Sequence, residues 1–85
     1  MKDAESYHSY FTQRFPVGSA RKEIEEFLKT EHMEYSFNPD DSTTYAIVRG
    51  KTGMGFTITG FQFKFQFDAG DKLKMIVVKQ YYTGP

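Results

Sequence analysis

The chain has no cysteine. That removes a disulfide framework, a thiolate nucleophile and any cysteine-ligated metal site. Nor is there a run near the ~18 apolar residues that a membrane helix needs. Net charge is absent too, with 11 Lys/Arg against 11 Asp/Glu. The opening Met1-Lys2-Asp3-Ala4-Glu5 lacks the apolar core of a signal peptide. Two settings stay open: a cytoplasmic protein, or a periplasmic or envelope domain whose targeting segment has been removed. With 85 residues, one domain spanning 1–85 is expected, since a second core would not fit.

What is abundant is aromatic, at 18% of the residues. Phe61, Phe63, Phe65 and Phe67 occupy every second position, with Gln62, Lys64 and Gln66 between them. A period of two belongs to a β-strand, whose successive side chains point to opposite faces. One face of this strand is a phenylalanine ladder and the other is polar.

The rest of the chain divides around that strand. A first helix is predicted over 4–14, capped by Asp3, with Tyr7, Tyr10, Phe11 and Phe15 on one side. Pro16 ends it, because the residue before a proline avoids helical geometry. Ser19 is the expected N-cap of a second helix over 20–31, whose apolar stripe is Ala20, Ile24, Phe27 and Leu28. Twelve residues give ~18 Å of helix, close to the ~20 Å of the ladder. Strands are predicted over 33–37, 43–50, 56–67 and 73–82. Turns at Asn38–Ser42 and Asp68–Asp71 and a loop at Lys51–Gly55 join them. The expected architecture is a two-layer α+β domain in the order ααββββ, with two helices on the ladder face of an antiparallel sheet.

Pairing follows from faces. Phe67 opposite Leu73 sets Phe65 against Met75 and Phe63 against Val77, all apolar. A slip that put Lys74 opposite Phe65 would bury a charge. The favoured register leaves Phe61 opposite Lys79, an awkward pair at the end of the inner face. Phe56 and Ile58 have the wrong parity for the ladder. A bulge at Gly60 would bring them onto it, with Ala46 and Val48 facing inward opposite Gly60 and Ile58. The outer face then presents Tyr45, Ile47, Lys64, Ile76 and Val78, and Tyr82 near its end. A contiguous apolar patch with a polar rim marks a contact surface. These six residues are the candidate protein-binding set, for a protein partner or a second copy of the chain.

Motifs that carry chemistry are weak. Gly50-Lys51-Thr52 matches the end of a phosphate-binding loop, but Tyr45 stands where its first glycine belongs. Asp68-Ala69-Gly70-Asp71 is too short for a calcium loop and reads as a tight turn with Gly70 at positive φ. His8 and His32 have no partner at metal-ligand spacing. No catalytic, cofactor-binding or metal-binding residues are assigned, and no small-molecule substrate is expected. Basic and aromatic residues interleave on the sheet, as in single-stranded nucleic-acid binders. The phenylalanines, however, belong to the helix-covered face, and no RNA-recognition consensus is present. Nucleic acid is therefore disfavoured. Charge is divided: residues 1–42 hold 5 basic and 9 acidic side chains (5 − 9 = −4), residues 43–85 hold 6 and 2 (6 − 2 = +4).

Two stretches carry a resemblance. The first is Phe15-Pro16-Val17-Gly18-Ser19-Ala20-Arg21-Lys22-Glu23-Ile24-Glu25-Glu26-Phe27-Leu28, and the second is Phe65-Gln66-Phe67-Asp68-Ala69-Gly70-Asp71-Lys72-Leu73. Together they resemble the SmpA/OmlA-type outer-membrane assembly lipoproteins, the BamE family. That family has a Gly-Ser/Thr-led short helix, then a strand meander with a phenylalanine-rich strand entering an Asp/Gly turn. The β-lactamase-inhibitor-protein fold is similar in plan. The chain departs from the lipoproteins in having no lipobox cysteine. It also resembles small uncharacterised bacterial proteins that end in Tyr-Thr-Gly-Pro, as residues 82–85 do. The resemblance implies a non-catalytic protein-binding or structural module of the bacterial cell envelope. Alternatives are an inhibitor or immunity-like protein acting through loops, and a sheet-based single-stranded nucleic-acid binder.

Overall fold

The computed structural model describes residues 4–48 and 58–83. Two helices precede four strands: α1 (Ala4–Arg14), α2 (Arg21–Thr30), β1 (Glu34–Asn38), β2 (Thr43–Val48), β3 (Ile58–Phe67) and β4 (Leu73–Thr83). The strands form one antiparallel sheet in the order β1-β2-β3-β4. This is the expected ααββββ architecture. The expected cap at Asp3, the 51–55 loop and the face of Phe56 lie outside the described residues.

The phenylalanine ladder is the core. Phe63 and Phe65 are 0% exposed, and Phe61 and Phe67 are buried beside them. α1, rather than α2, runs along the ladder. Tyr7 sets its ring 4.6 Å from Phe61, tilted, and 5.3 Å from Phe63, edge-on. One turn on, Phe11 lies 5.0 Å from Phe63 and 5.5 Å from Phe65. The i, i+4 spacing sets both rings on one side of the helix. Edge-to-face geometry at 4.5–7 Å is the favoured aromatic arrangement. α2 adds Ile24 and Leu28, both fully buried. Phe27 joins the helices by an edge contact with Phe15 at 5.3 Å.

Ends and connections follow local chemistry, with two corrections. Ser19 does not cap α2; its hydroxyl donates to the Pro16 carbonyl at 2.6 Å, and Ala20 holds the cap position without a side-chain bond. Gly18 (φ +98°) turns the chain so that the linker lies along the start of β4. There the Gly18 N–H donates to the Leu73 carbonyl, and the Leu73 N–H donates to the Ser19 carbonyl, each at 2.8 Å. Left-handed His32 (φ 57°) ends α2, with N–H bonds from His32 to Lys29 O and from Met33 to Leu28 O. That pairing is a Schellman stop. In the β3–β4 turn, Asp68 Oδ1 accepts from the N–H groups of Gly70 and Lys72 at 2.9 and 3.0 Å. The left-handed residue there is Asp71 (φ 59°), not the expected Gly70.

The largest departure is the register of β4. Phe67 pairs with Leu73 as expected, but Gln66 then pairs with Met75, Phe65 with Ile76 and Phe63 with Val78. Lys74 is an extra residue on β4, a β-bulge beside the turn. The expected bulge at Gly60 is absent, because the ladder runs regularly through Thr59↔Tyr82, Gly60↔Tyr81 and Phe61↔Gln80. β2 is also reset. Ala46 and Val48 face inward, but opposite Phe63 and Phe61 rather than Gly60 and Ile58.

The bulge exchanges the two faces of β4. Ile76 is 7% exposed and joins the core, and Val78 packs against it. Met75, expected inside, is 53% exposed. The physical gain is twofold. Ile76 replaces the flexible Met75 beneath the helices, with Val78 in place of Val77, and Lys79 moves from beneath them to the open face. Ile76→Lys should therefore cost about 3 kcal/mol or more, as an unpaired charge placed in a core. Met75→Lys should stay within about 0.5 kcal/mol of the parent, as exposed substitutions do. Urea unfolding of the two variants checks the pair; equal losses would reverse the face assignment.

Candidate interaction face

Both helices pack on the ladder side. Among the described residues the opposite side of the sheet has no covering element. The pairings arrange its side chains in rows. One row reads Ser36–Tyr45–Lys64–Val77, and beside it lies Glu34–Ile47–Gln62–Lys79. On the other side is Asn38–Thr43–Gln66–Met75, and Gly60–Tyr81 extends the β3–β4 end.

Of the six residues expected on this face, Tyr45, Ile47 and Lys64 stand on it. Ile76 and Val78 do not; the bulge turns them onto the core side. Tyr82 pairs with Thr59 in the ladder, and its side chain lies outside the described residues. In place of Ile76 and Val78 the face gains Met75, Val77 and Tyr81. The signal that could have found them was the poor Phe61–Lys79 pair of the regular register.

Gly60 has a different role from the one expected. A Cβ there would run into the Tyr81 ring. The glycine leaves a flat place in the strand where the Tyr81 ring lies on the backbone. This cross-strand packing of an aromatic on a strand glycine offsets the weakness of glycine in a sheet.

Tyr45 is anchored at the centre of the face. Its hydroxyl donates to Asp41 Oδ2 at 2.5 Å, and the Lys64 ammonium lies 5.9 Å from its ring centroid. Because the bond needs the phenolic proton, the Asp41 carboxylate holds Tyr45 above its ordinary pKa; burial and the Asp41 charge act the same way. The cations of this face, Lys64 and Lys79, stand among Ile47, Met75 and Val77. The helical layer carries Glu5, Glu23, Glu26 and Glu31 at its surface. Arg14, Lys22 and Lys29 are exposed beside them, so the acidity of residues 1–42 is not gathered on the helical face.

The polar cluster on the helix side is structural in geometry. Glu25 Oε2 accepts from the buried Thr44 hydroxyl at 2.7 Å and meets Arg21 Nη1 at 3.4 Å. Arg21 Nε reaches Asp71 Oδ1 at 3.5 Å, and its guanidinium lies 3.8 Å from the Phe37 ring centroid. Thus α2, β1, β2 and the β3–β4 turn are joined through Arg21 and Glu25. The Arg21/Glu25 i, i+4 spacing was visible, but the Thr44 partner 19 positions away was not. His8, on α1, donates from Nε2 to the Ile76 carbonyl at 3.0 Å. Among the described residues no group of three or more His, Asp or Glu side chains is placed to hold a metal ion. No helix among them is long and apolar enough to cross a membrane.

Comparison with known proteins adds no relative: no family model, curated protein or solved structure matches the chain. Function has to be argued from the geometry.

The Tyr45–Asp41 bond carries a pH signature. A raised folded-state pKa stabilises the fold below the unfolded value of about 10. That contribution is lost as pH rises through the folded value. Asp41→Ala should return Tyr45 toward about 10. Ring-carbon NMR titration of the tyrosines, with Tyr45→Phe to assign the signal, reads the shift.

Proposed function

We propose that the chain is a non-catalytic binding module whose open sheet face docks a protein partner. The observation that carries this reading is the open face itself, on which Tyr45 and Ile47 of β2 and Met75 and Val77 of β4 flank the polar column Gln62, Lys64 and Gln66 of β3. Aromatic and Met residues are enriched in interfaces, and this face presents Tyr45, Tyr81 and Met75 beside hydrogen-bonding Gln62 and Gln66. Charge narrows the partner. Lys64 and Lys79 favour a surface that sets carboxylates beside apolar groups, since complementary potentials speed encounter and reject wrong partners. Binding rather than catalysis is supported by the use made of the polar side chains. Arg21, Glu25, Thr44 and Asp71 tie elements together, and Asp41 holds Tyr45. An envelope setting is supported by the resemblance to the BamE family alone.

The test uses two outer-face changes that spare the core, Tyr45→Ala with Val77→Lys. Capture from a bacterial lysate with the parent chain, identified by mass spectrometry, gives the partner. The double variant should bind that partner at least about tenfold more weakly, a loss of about 1.4 kcal/mol or more, while its thermal unfolding stays cooperative. Unchanged affinity would move the contact to the loops, the inhibitor-like alternative. Binding to single-stranded oligonucleotides that weakens steeply with salt would instead assign the face to nucleic acid.

A further inference from the structure

On the helical side of the molecule, α1 and the end of α2 enclose an aromatic-lined pocket of about 300 Å³. Its rings are Tyr7, Tyr10 and Phe11 of α1 and Phe27 of α2. Phe11 is 3% exposed and closes the floor, with its centroid 5.4 Å from Tyr10 and 6.1 Å from Phe27. Tyr10 and Phe27 stand 6.4 Å apart, inclined at 41°, and form one aromatic wall. Tyr7 and Phe27 are partly buried and Tyr10 is 50% exposed, so ring surface is left open to a ligand. The same pocket holds a carboxylate, that of Glu31. Glu31 is the exposed C-cap residue of α2, and among the described residues it makes no ion pair. A helix C-terminus is the negative end of its dipole, and aromatic faces are negative too. Ring faces, helix end and carboxylate therefore act in one direction, and no lining residue is basic. The chain itself shows the attraction at the same ring. The Arg14 guanidinium lies 4.7 Å from the Phe27 centroid, but it lines the neighbouring groove with Phe15 and Glu23 rather than this pocket.

We propose that this pocket binds a free organic ammonium ion whose nitrogen carries methyl groups, of the trimethylammonium class. Such a cation spreads its charge over the methyl groups, which pack on ring faces while the charge is held by the ring quadrupoles. A bare ammonium fits less well. Its N–H groups need acceptors when they leave water, and the lining offers them the Glu31 carboxylate against walls that are otherwise aromatic and apolar. Size points the same way, because about 300 Å³ is the small end of the ~300–1,000 Å³ range of ligand pockets. The roles are distinct. Tyr7, Tyr10 and Phe27 supply ring surface, Phe11 holds Tyr10 and Phe27 in place from beneath, and Glu31 supplies the counter-charge. The site lies on the helical side and does not depend on the docking reading of the outer sheet face.

NMR titration of the parent chain with choline and with tetramethylammonium tests this. Both should bind saturably, with a Kd on the order of 1 mM, and the choline methyl signal should move upfield as it enters the ring currents. Dimethylbutanol, the neutral isostere in which carbon replaces the choline nitrogen, should bind at least about tenfold more weakly, because it keeps the shape and loses the charge. Tyr10→Leu and Glu31→Gln should each weaken choline binding at least about threefold, and Tyr10→Phe should keep it. Both positions are exposed, and thermal unfolding confirms that the variants fold. Sedimentation with phosphatidylcholine vesicles separates a free ion from a lipid headgroup, and the chain should stay in the supernatant. Equal binding of the neutral isostere would overturn the proposal, as would no saturation by about 100 mM choline, a hundredfold above the expected Kd. So would unchanged affinity in both Tyr10→Leu and Glu31→Gln, or sedimentation with the vesicles in a chain that ignores free choline.

Discussion

One extra residue in β4 determines what each face of this protein displays. The β3–β4 turn delivers Phe67 and Leu73 to each other as a matched apolar pair. Without Lys74 in excess, the next steps would bury Met75 and Val77 and carry Lys79 beneath the helices. With it, Ile76 and Val78 lie under the helices, and the lysine faces water. Bulges beside turns often re-aim a strand in this way. Here the consequence is doubled, because the side chains turned outward belong to the proposed docking surface. Core composition and surface chemistry are two results of the same local event.

The rest of the architecture reinforces that choice. α1 sets Tyr7 and Phe11 on the ladder, and its His8 fastens to the carbonyl of Ile76. The linker from Gly18 to Arg21 bonds the chain just before the bulge. β4 is thus held on both sides where its register shifts. On the opposite flank, α2 is tied to β1, β2 and the turn through Arg21 and Glu25. The outcome is a sheet with its inner face filled by the helices and its outer face presented.

Most of the fold was legible because its signals are periodic. The phenylalanine ladder, the i, i+4 aromatics of α1 and the Asp/Gly turn each point to one element, and element order follows. The pairing register was less legible because it depends on small differences between apolar residues. Met75, Ile76, Val77 and Val78 are all acceptable inside, so parity alone could not choose among them. The deciding residue was Lys79, whose regular-register partner Phe61 was recognisably poor. Gly60 was misread because glycine in a strand signals either a bulge or a close approach. The Tyr81 ring that makes it the second kind lies 21 positions away. Tyr45, Ile47 and Lys64 were placed on the correct face because β2 and β3 pair without interruption.

The account rests on where β4 changes step, and nuclear Overhauser contacts between β3 and β4 read that directly. The bulge at Lys74 predicts cross-strand contacts of Phe65 with Ile76 and of Phe63 with Val78. It also predicts ring contacts from Tyr7 and Phe11 to the ladder but none to Met75. Contacts of Phe65 with Met75 and of Phe63 with Val77 would contradict it, and would return Ile76 and Val78 to the outer face.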